Sequence, residues 1–458
     1  MLEKINVVSA ILECVTGAYI INQVVIAHTY TLLPYFSLDA LNTIILSITL
    51  VIGLIATCHA VGNFRLELKK GTINVFKVRQ AFILMRLFLF LMYSAIMTAN
   101  PMIMWIAIEG TTLATVSLVN FFNRPKDLEA AWKFLIINSV GILLGLLGTL
   151  LFLTQASENG QIFLQWTYLL QAAHQMNPNI LKFAYIFVFL GYGTKMGIVP
   201  MHTWLPDAHS QAPSPLSALL SGALINIAFL AILRFTFLTN IAVGVHFSQT
   251  LFLFFGTLSV FVAGSVIYTQ KSYKRLLAYS TIEHSGLMLL GFGFGGIGVF
   301  GALLLMIYHG LCKALFFLLS SNIAVRYSSS FVANVKGMLK VLPVTSILYL
   351  IAFLFLTGIP PFGMFFSEFY IILGGFRHNA ILAIIVLLML IFVFVGFFRS
   401  ITSMIFDTPP EGIKQGESDK WTLIPVGILA VLLVTISVAL PPFLTQLLHE
   451  AVALINIR

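Results

Sequence analysis

The chain has 458 residues, 59% of them hydrophobic and only 9% charged, with 25 lysines and arginines against 16 aspartates and glutamates. That composition excludes a water-soluble globule. The net charge of +9 would suit a nucleic-acid partner, but the placement of the basic residues assigns it to membrane topology, so no nucleic acid is expected.

In chain order, apolar runs long enough to cross about 30 Å of hydrocarbon as helix fall at 6–27, 39–61, 80–99, 101–122, 130–153, 180–200, 213–238, 248–269, 275–296, 297–324, 341–375, 380–402 and 421–445. Helices are expected because every backbone group in lipid must be paired within its own segment, and the short alternating runs of barrel strands are absent. The predicted fold class is an all-α polytopic membrane protein of about 13 transmembrane helices. The first run is long, carries Glu13 and lacks a small-residue cleavage pattern, so it reads as a retained helix. Run 341–375 is long and broken. Stretches 62–79, 154–179 and 403–420 are polar connectors, and 160–175, which mixes Gln, Trp and Leu, reads as a short interfacial helix.

Alternate connections differ in charge. The N-terminus and the loops after even-numbered runs hold sixteen lysines and arginines, from Lys4 and Arg65 to Lys414 and Lys420, whereas the opposite side holds Lys182, Arg377 and Arg458. This positive-inside bias predicts a cytoplasmic N-terminus and an external C-terminus in the cell membrane.

Arg86, Lys133, Lys195, Arg234, Lys313 and Arg399 fall inside the runs, together with Glu109, Glu283, His284, His309 and Glu368. A charge at the bilayer centre costs about 2.5–3.5 kcal/mol on insertion scales, so a deep one has a partner or a use. Arg234 and Arg399 read as end-of-run residues whose head groups snorkel to the interface, and Asp39 and His59, at run edges, read as structural. Glu109, Lys195, His309, Lys313 and Glu368 lie deeper and suit a hydrated proton relay.

Their order divides the chain into N-terminal helices (1–79), a first five-helix repeat (80–238), a second (248–402) and a C-terminal helix (403–458). Glu109 answers in position to Glu283 and His284, Lys133 to His309 and Lys313, and Lys195 to Glu368. Gly197 and Pro200 interrupt one fourth helix, and Gly358, Pro360 and Pro361 the other. The two sets start from opposite sides, so the repeats are inverted. Paired, interrupted segments of this kind point to a transporter site.

The run GYGTKMGIVPMHTWLPDAHSQAPSPLSALLSG resembles the signature of the proton-conducting antiporter-like subunits of complex I, Mrp-type antiporters and membrane-bound hydrogenases. WIAIEGTTLAT, LEAAWKF, KRLLAYSTIEHSG, YHGLCKALFF and GIPPFGMFFSEF fit the same family, over roughly residues 39–402. The Glu-Gly-Thr-Thr and Ile-Glu-His pieces resemble most the branch typified by hydrogenase-4 component F. The resemblance implies a hydrophilic axis at mid-membrane in which Glu109 tunes Lys195, Lys133 and His309 with Lys313 continue the line, and Glu368 occupies the second broken helix. Two departures stand out. One N-terminal helix is missing relative to the usual fourteen, and Ser221 and Asn226 stand where relatives often carry a central Lys or His, so that link would run through water and polar side chains.

Other patterns carry less. Gly291, Gly293 and Gly296 spell GxGxxG between two helices and read as a turn, not a dinucleotide site. His202, Asp207 and His209 read as a hydrogen-bonded cytoplasmic loop in preference to a metal site. Cys14, Cys58 and Cys312 form no metal, haem or disulfide pattern. No cofactor motif is present, so redox chemistry would fall to other subunits. The function expected is a proton-translocating membrane subunit of a redox-linked complex, hydrogenase-4/formate hydrogenlyase-like or complex I-like. Its partners would be other membrane subunits of that assembly, the lipid bilayer, and protons, with sodium as the other candidate ion. The alternatives are a cation/proton antiporter module or an energising subunit for an uptake system such as bicarbonate uptake, and a scaffold with a vestigial channel.

Overall fold

A computed structural model describes residues 2–32, 35–156, 164–417 and 419–457. The chain opens with helix α1 (Leu2–Ala27) and a small antiparallel hairpin, β1 (Tyr30–Leu32) with β2 (Phe36–Leu38). Then come α2 (Ala40–Lys69), α3 (Val75–Met97), α4 (Pro101–Val119) and α5 (Pro125–Gln155). Side-chain caps start most of these: Asp39 accepts from Asn42 N, Asn74 from Lys77 N, and Asn100 from Met102 N just before a proline at the first helical position. A short helix, α6 (Trp166–Ala172), lies in the predicted interfacial segment, whose residues 160–163 fall outside the described ones.

Next is a broken helix, α7 (Pro178–Met196) followed by α8 (Trp204–Gln211). Residues 201–212 are therefore not a loop as expected: α8 is the second half of the interrupted crossing. Pro206 is accommodated because it sits in the first turn, where no intrahelical N–H is needed. After it run α9 (Ser214–Leu219), a π-helical turn at Leu220–Leu224, and α10 (Ile225–Val243). The second half comprises α11 (Val245–Ile267), α12 (Tyr273–Phe294), α13 (Ile297–Tyr327), the short α14 (Met338–Val341), the broken pair α15 (Pro343–Leu356) and α16 (Gly363–His378), and α17 (Ala380–Phe406). The GFGFGGIG run closes α12 and turns into α13 through Gly295 and Gly296, both at positive φ.

The tail differs from expectation. In place of one helix over 421–445 there are two, α18 (Lys420–Val438) and α19 (Pro442–Ile457). Pro441 and Pro442 cannot continue α18, and α19 folds back so that Gln446 donates to the Val25 carbonyl at the end of α1, while Glu450 lies 2.8 Å from His28.

Eleven helical stretches among the described residues are long and apolar enough to span a membrane. The polar α12 and the interrupted α15–α16 complete the predicted thirteen crossings. With that count α3 and α11, the third and eighth crossings, run in opposite senses, so the two five-helix repeats are inverted. The innermost elements are α9–α10 and α13, which are buried nearly throughout. They approach through small residues: Gly222 and Gly310 face one another so closely that a Cβ on either would sit 2.6–2.7 Å from the other's carbonyl oxygen. Glycines on α5 do the same against α7, where a Cβ at Gly148 would meet the Ala184 carbonyl at 2.6 Å.

Candidate relay site

Both breaks use a left-handed glycine to end a helix within an apolar stretch. Gly197 has φ +80° and Gly358 φ +58°, a conformation costly for residues with a Cβ. The backbone groups freed at the first break find partners on neighbouring elements. Trp204 donates its indole N–H to the Thr194 carbonyl at 2.9 Å, Ser285 of α12 donates to the Met196 carbonyl, and the Val199 N–H reaches Ser259 of α11. At the second break Ser437 of α18 accepts from the Gly363 N–H at 3.0 Å. Such pairing lets irregular backbone persist at membrane depth.

Lys195 ends α7 at this break and is fully buried. Its ammonium donates to Thr112 Oγ1 at 2.6 Å and lies 5.1 Å above the Phe134 ring. Thr112 in turn donates to Glu109 Oε2 at 3.2 Å, and Ser139 of α5 donates to Oε1 of the same carboxylate at 2.8 Å. The expected lysine–glutamate pair is thus brought together through a hydroxyl rather than directly. Sequence reasoning passed over Thr112 and Ser139, although Thr112 stands three residues after Glu109, on the same helix face.

A second cluster forms around α12. Lys313 of α13, fully buried, donates to the Leu277 carbonyl at 3.1 Å and to Ser280. His284 Nδ1 lies 2.7 Å from the Ser280 carbonyl and 3.4 Å from Glu283 Oε2, while its Nε2 lies 3.8 Å from Glu368 Oε1. The His309 ring packs 5.0 Å from that of His284. Glu368 rests against Gly358 at the second break. The polar turn from Ser280 to Ser285 therefore touches α7, α13 and α16, and Thr281 within it is 2.9 Å from Ser221 of the π-helical turn. Asn226 spends its amide N–H groups on the Gly222 and Met306 carbonyls.

Lys133 is not drawn into either cluster. Its side chain is 45% exposed at the basic end of the protein, paired with Glu129 and, at 3.0 Å, with Asp207 of α8, which also takes Arg275 of α12. These residues line a cavity of about 540 Å³, and a larger one of about 1140 Å³ nearby is lined by Lys70, Arg124, Lys274 and Ser321 among others. His202 and His209 do not join Asp207: His202 faces Tyr279 and His209 stacks on Phe317 with centroids 4.7 Å apart.

Two other intramembrane charges are structural. Arg234 does not snorkel. It is 8% exposed and paired with Asp39 at 2.7 Å, because the α2 N-terminus packs beside α10. Arg86 holds Glu13 at 2.9 Å and Asn6 at 3.1 Å. Arg399 remains exposed near the Tyr268 ring. His59 lies inside α2, which runs past the expected edge, and is fully buried.

Residues 98–394 match the family described as NADH:quinone oxidoreductase/Mrp antiporter, transmembrane. A hydrogenase-4 component F homolog of Methylacidiphilum infernorum is 35% identical over 353 residues, covering 76% of this chain and 74% of that one. An NAD(P)H-quinone oxidoreductase chain 4 of Thermosynechococcus vestitus is 30% identical over 318 residues, covering 68% of this chain and 58% of its own. The chain thus spans less than two thirds of that relative's length. Among solved structures, a chain of the membrane-bound sulfane sulfur reductase, an archaeal respiratory membrane complex, superposes with a TM-score of 0.87 at 22% identity, over 99% of this chain and 92% of that one. Chains of the Mrp complex from Dietzia sp. and of respiratory complex I from Thermus thermophilus give TM-scores of 0.84 and 0.83 at 16% and 22% identity, over 99% of this chain and 92% and 95% of theirs. At those identities they establish the fold.

Proposed function

Because the chain belongs to the NADH:quinone oxidoreductase/Mrp antiporter transmembrane family, we propose that it is a proton-translocating membrane subunit of a redox-linked complex of the hydrogenase-4 or complex I kind. The observation that carries this reading is the buried Lys195 at a helix break, linked by hydrogen bonds to the half-buried carboxylate of Glu109. A buried ammonium hydrogen-bonded toward a carboxylate is suited to exchanging protons, and it has no evident structural use at a helix end already capped by Gly197.

In this reading Glu109 and Lys195 form the first half of a relay, and Glu283, His284, His309, Lys313 and Glu368 form the second. Lys133, with Asp207, marks the cytoplasmic mouth. Residues 80–238 and 248–402 are the two repeats that carry these halves, flanked by 1–79 and 403–458. The N-terminus is cytoplasmic and the C-terminus external in the cytoplasmic membrane. The carried ion is the proton. The partners are the other membrane subunits of the assembly, which supply the electron chemistry.

The test uses everted membrane vesicles carrying the tagged, intact complex, supplied in turn with formate, hydrogen, NADH or a sodium gradient, while vesicle acidification is followed with a permeant acridine. Acidification with one electron donor is expected. It should be lost in Lys195→Ala and Glu109→Gln at normal assembly. Unchanged acidification in both variants overturns the relay. A response to sodium alone favours the antiporter module.

A further inference from the structure

The three threonines of α4 that surround the Glu109 turn differ in how they use their hydroxyls. Thr111 donates to the Ile108 carbonyl at 2.6 Å, and Thr115 donates to the Thr111 carbonyl at 2.7 Å, each bonding back onto its own helix. That is the usual fate of a threonine inside a helix. Thr112 turns its hydroxyl away from the backbone and places it between two side chains, Lys195 Nζ at 2.6 Å and Glu109 Oε2 at 3.2 Å. All three threonines are fully buried.

A hydroxyl has one proton to give and lone pairs to accept with. Since the lysine ammonium can only donate, the direction of the chain is set: Nζ–H to Thr112 Oγ1, and Thr112 O–H to Glu109 Oε2. Both distances fall within the range of about 2.6–3.2 Å over which a proton is passed between heavy atoms. Ser139 on the far oxygen keeps the carboxylate turned so that Oε2 stays toward Thr112.

Resting on the relay reading above, we propose that Thr112 is the positioning and proton-passing residue between Lys195 and Glu109, so that the first half of the axis works through a hydroxyl rather than through a direct ion pair. In the step, one N–H bond of the Lys195 ammonium breaks as an O–H bond forms on Thr112, while the threonine's own proton moves to Glu109. Lysine is left as the amine, glutamate as the carboxylic acid, and threonine with a single proton as before. The reverse step restores the start, and no co-reactant is consumed.

The experiment compares Thr112→Val, which keeps the shape and removes the hydroxyl, with Thr112→Ser, which keeps the hydroxyl and removes the methyl, and with Thr112→Ala as a second hydroxyl-free variant. Lys195→Ala is the control. Proton uptake by everted vesicles is measured with the donor that drives the wild type, normalised to complex content. Thr112→Val and Thr112→Ala should fall at least tenfold and Thr112→Ser should stay within twofold of wild type. If Thr112→Val or Thr112→Ala pumps at the wild-type rate while Lys195→Ala is dead, the hydroxyl step is overturned and the relay stands. If the serine variant falls as far as valine, the threonine serves only to fill space, and the proposal fails. If Lys195→Ala itself pumps normally, the relay reading and the step fail together.

Discussion

His284 on α12 and Glu368 on α16 face each other across the second repeat, Nε2 3.8 Å from Oε1, with Glu283 Oε2 3.4 Å from the other ring nitrogen. An imidazole set between two carboxylates can take a proton at one nitrogen and release it at the other. The Ser280 carbonyl, 2.7 Å from Nδ1, accepts the proton carried there, while Nε2, with no hydrogen-bond partner among the described residues, faces the Glu368 carboxyl. Glu368→Gln keeps the shape and removes the exchangeable proton. Proton uptake by everted vesicles should fall at least tenfold at unchanged complex content, and near-wild-type uptake would restrict the relay to the first repeat.

The same carboxylate is pressed against Gly358, where an added Cβ would lie 2.5 Å from Glu368 Oε2 and the backbone has φ +58°. Gly358→Ala should therefore push the carboxylate off His284 and reduce proton uptake. If the loss acts through Glu368, the double variant with Glu368→Gln should be no worse than Glu368→Gln alone, a non-additivity that a cycle of the four proteins measures. Additive losses would mean that the glycine matters only to the turn.

The crossings, the two breaks and the inverted order were legible because length, glycine, proline and loop charge are all one-dimensional signals. The deep charges were legible for the same reason: Lys195, Lys313 and Glu368 are conspicuous in apolar runs. The connections among them were not. Thr112, Ser139, Ser280 and Ser285 look neutral in a hydrophobic helix, and only three-dimensional packing shows which hydroxyl bonds its own helix and which bonds a neighbour. The α8 segment was misread because Pro206, Asp207 and His209 resemble a polar loop, whereas Lys133 and Arg275 pair with Asp207 and hold that segment in place from two sides. Arg234 was misread because Asp39 lies nearly two hundred positions away in sequence.

That last pair supports a stability prediction. Arg234 and Asp39 have side-chain exposures of 9% and 17%, and the guanidinium also bonds Asn42. Removing one partner of a buried pair strands the other, at a cost of about 3–5 kcal/mol. Arg234→Met should lower the thermal stability of the detergent-solubilised protein sharply. Adding Asp39→Asn should restore part of it, because the buried carboxylate charge is then removed while the side-chain oxygen still caps α2 at Asn42 N. A single variant as stable as wild type would show that the pair is solvated in the bilayer interface.

The orientation can be checked at the connection between α17 and α18. Exposed Gly412 stands there at φ +80° with open space around its Cα, and Lys414 is nearby. Parity of the crossings sets this connection on the same side as the N-terminus, and the loop-charge bias predicts that this side is cytoplasmic. A protease site inserted after Gly412 should resist added protease in intact cells and be cut in everted vesicles, and an N-terminal tag should behave the same way. Cleavage of both in intact cells would invert the assigned orientation. Cleavage of only one would mean that a crossing has been miscounted between α1 and α17, and a miscount between α3 and α11 would also undo the opposed sense of the two repeats.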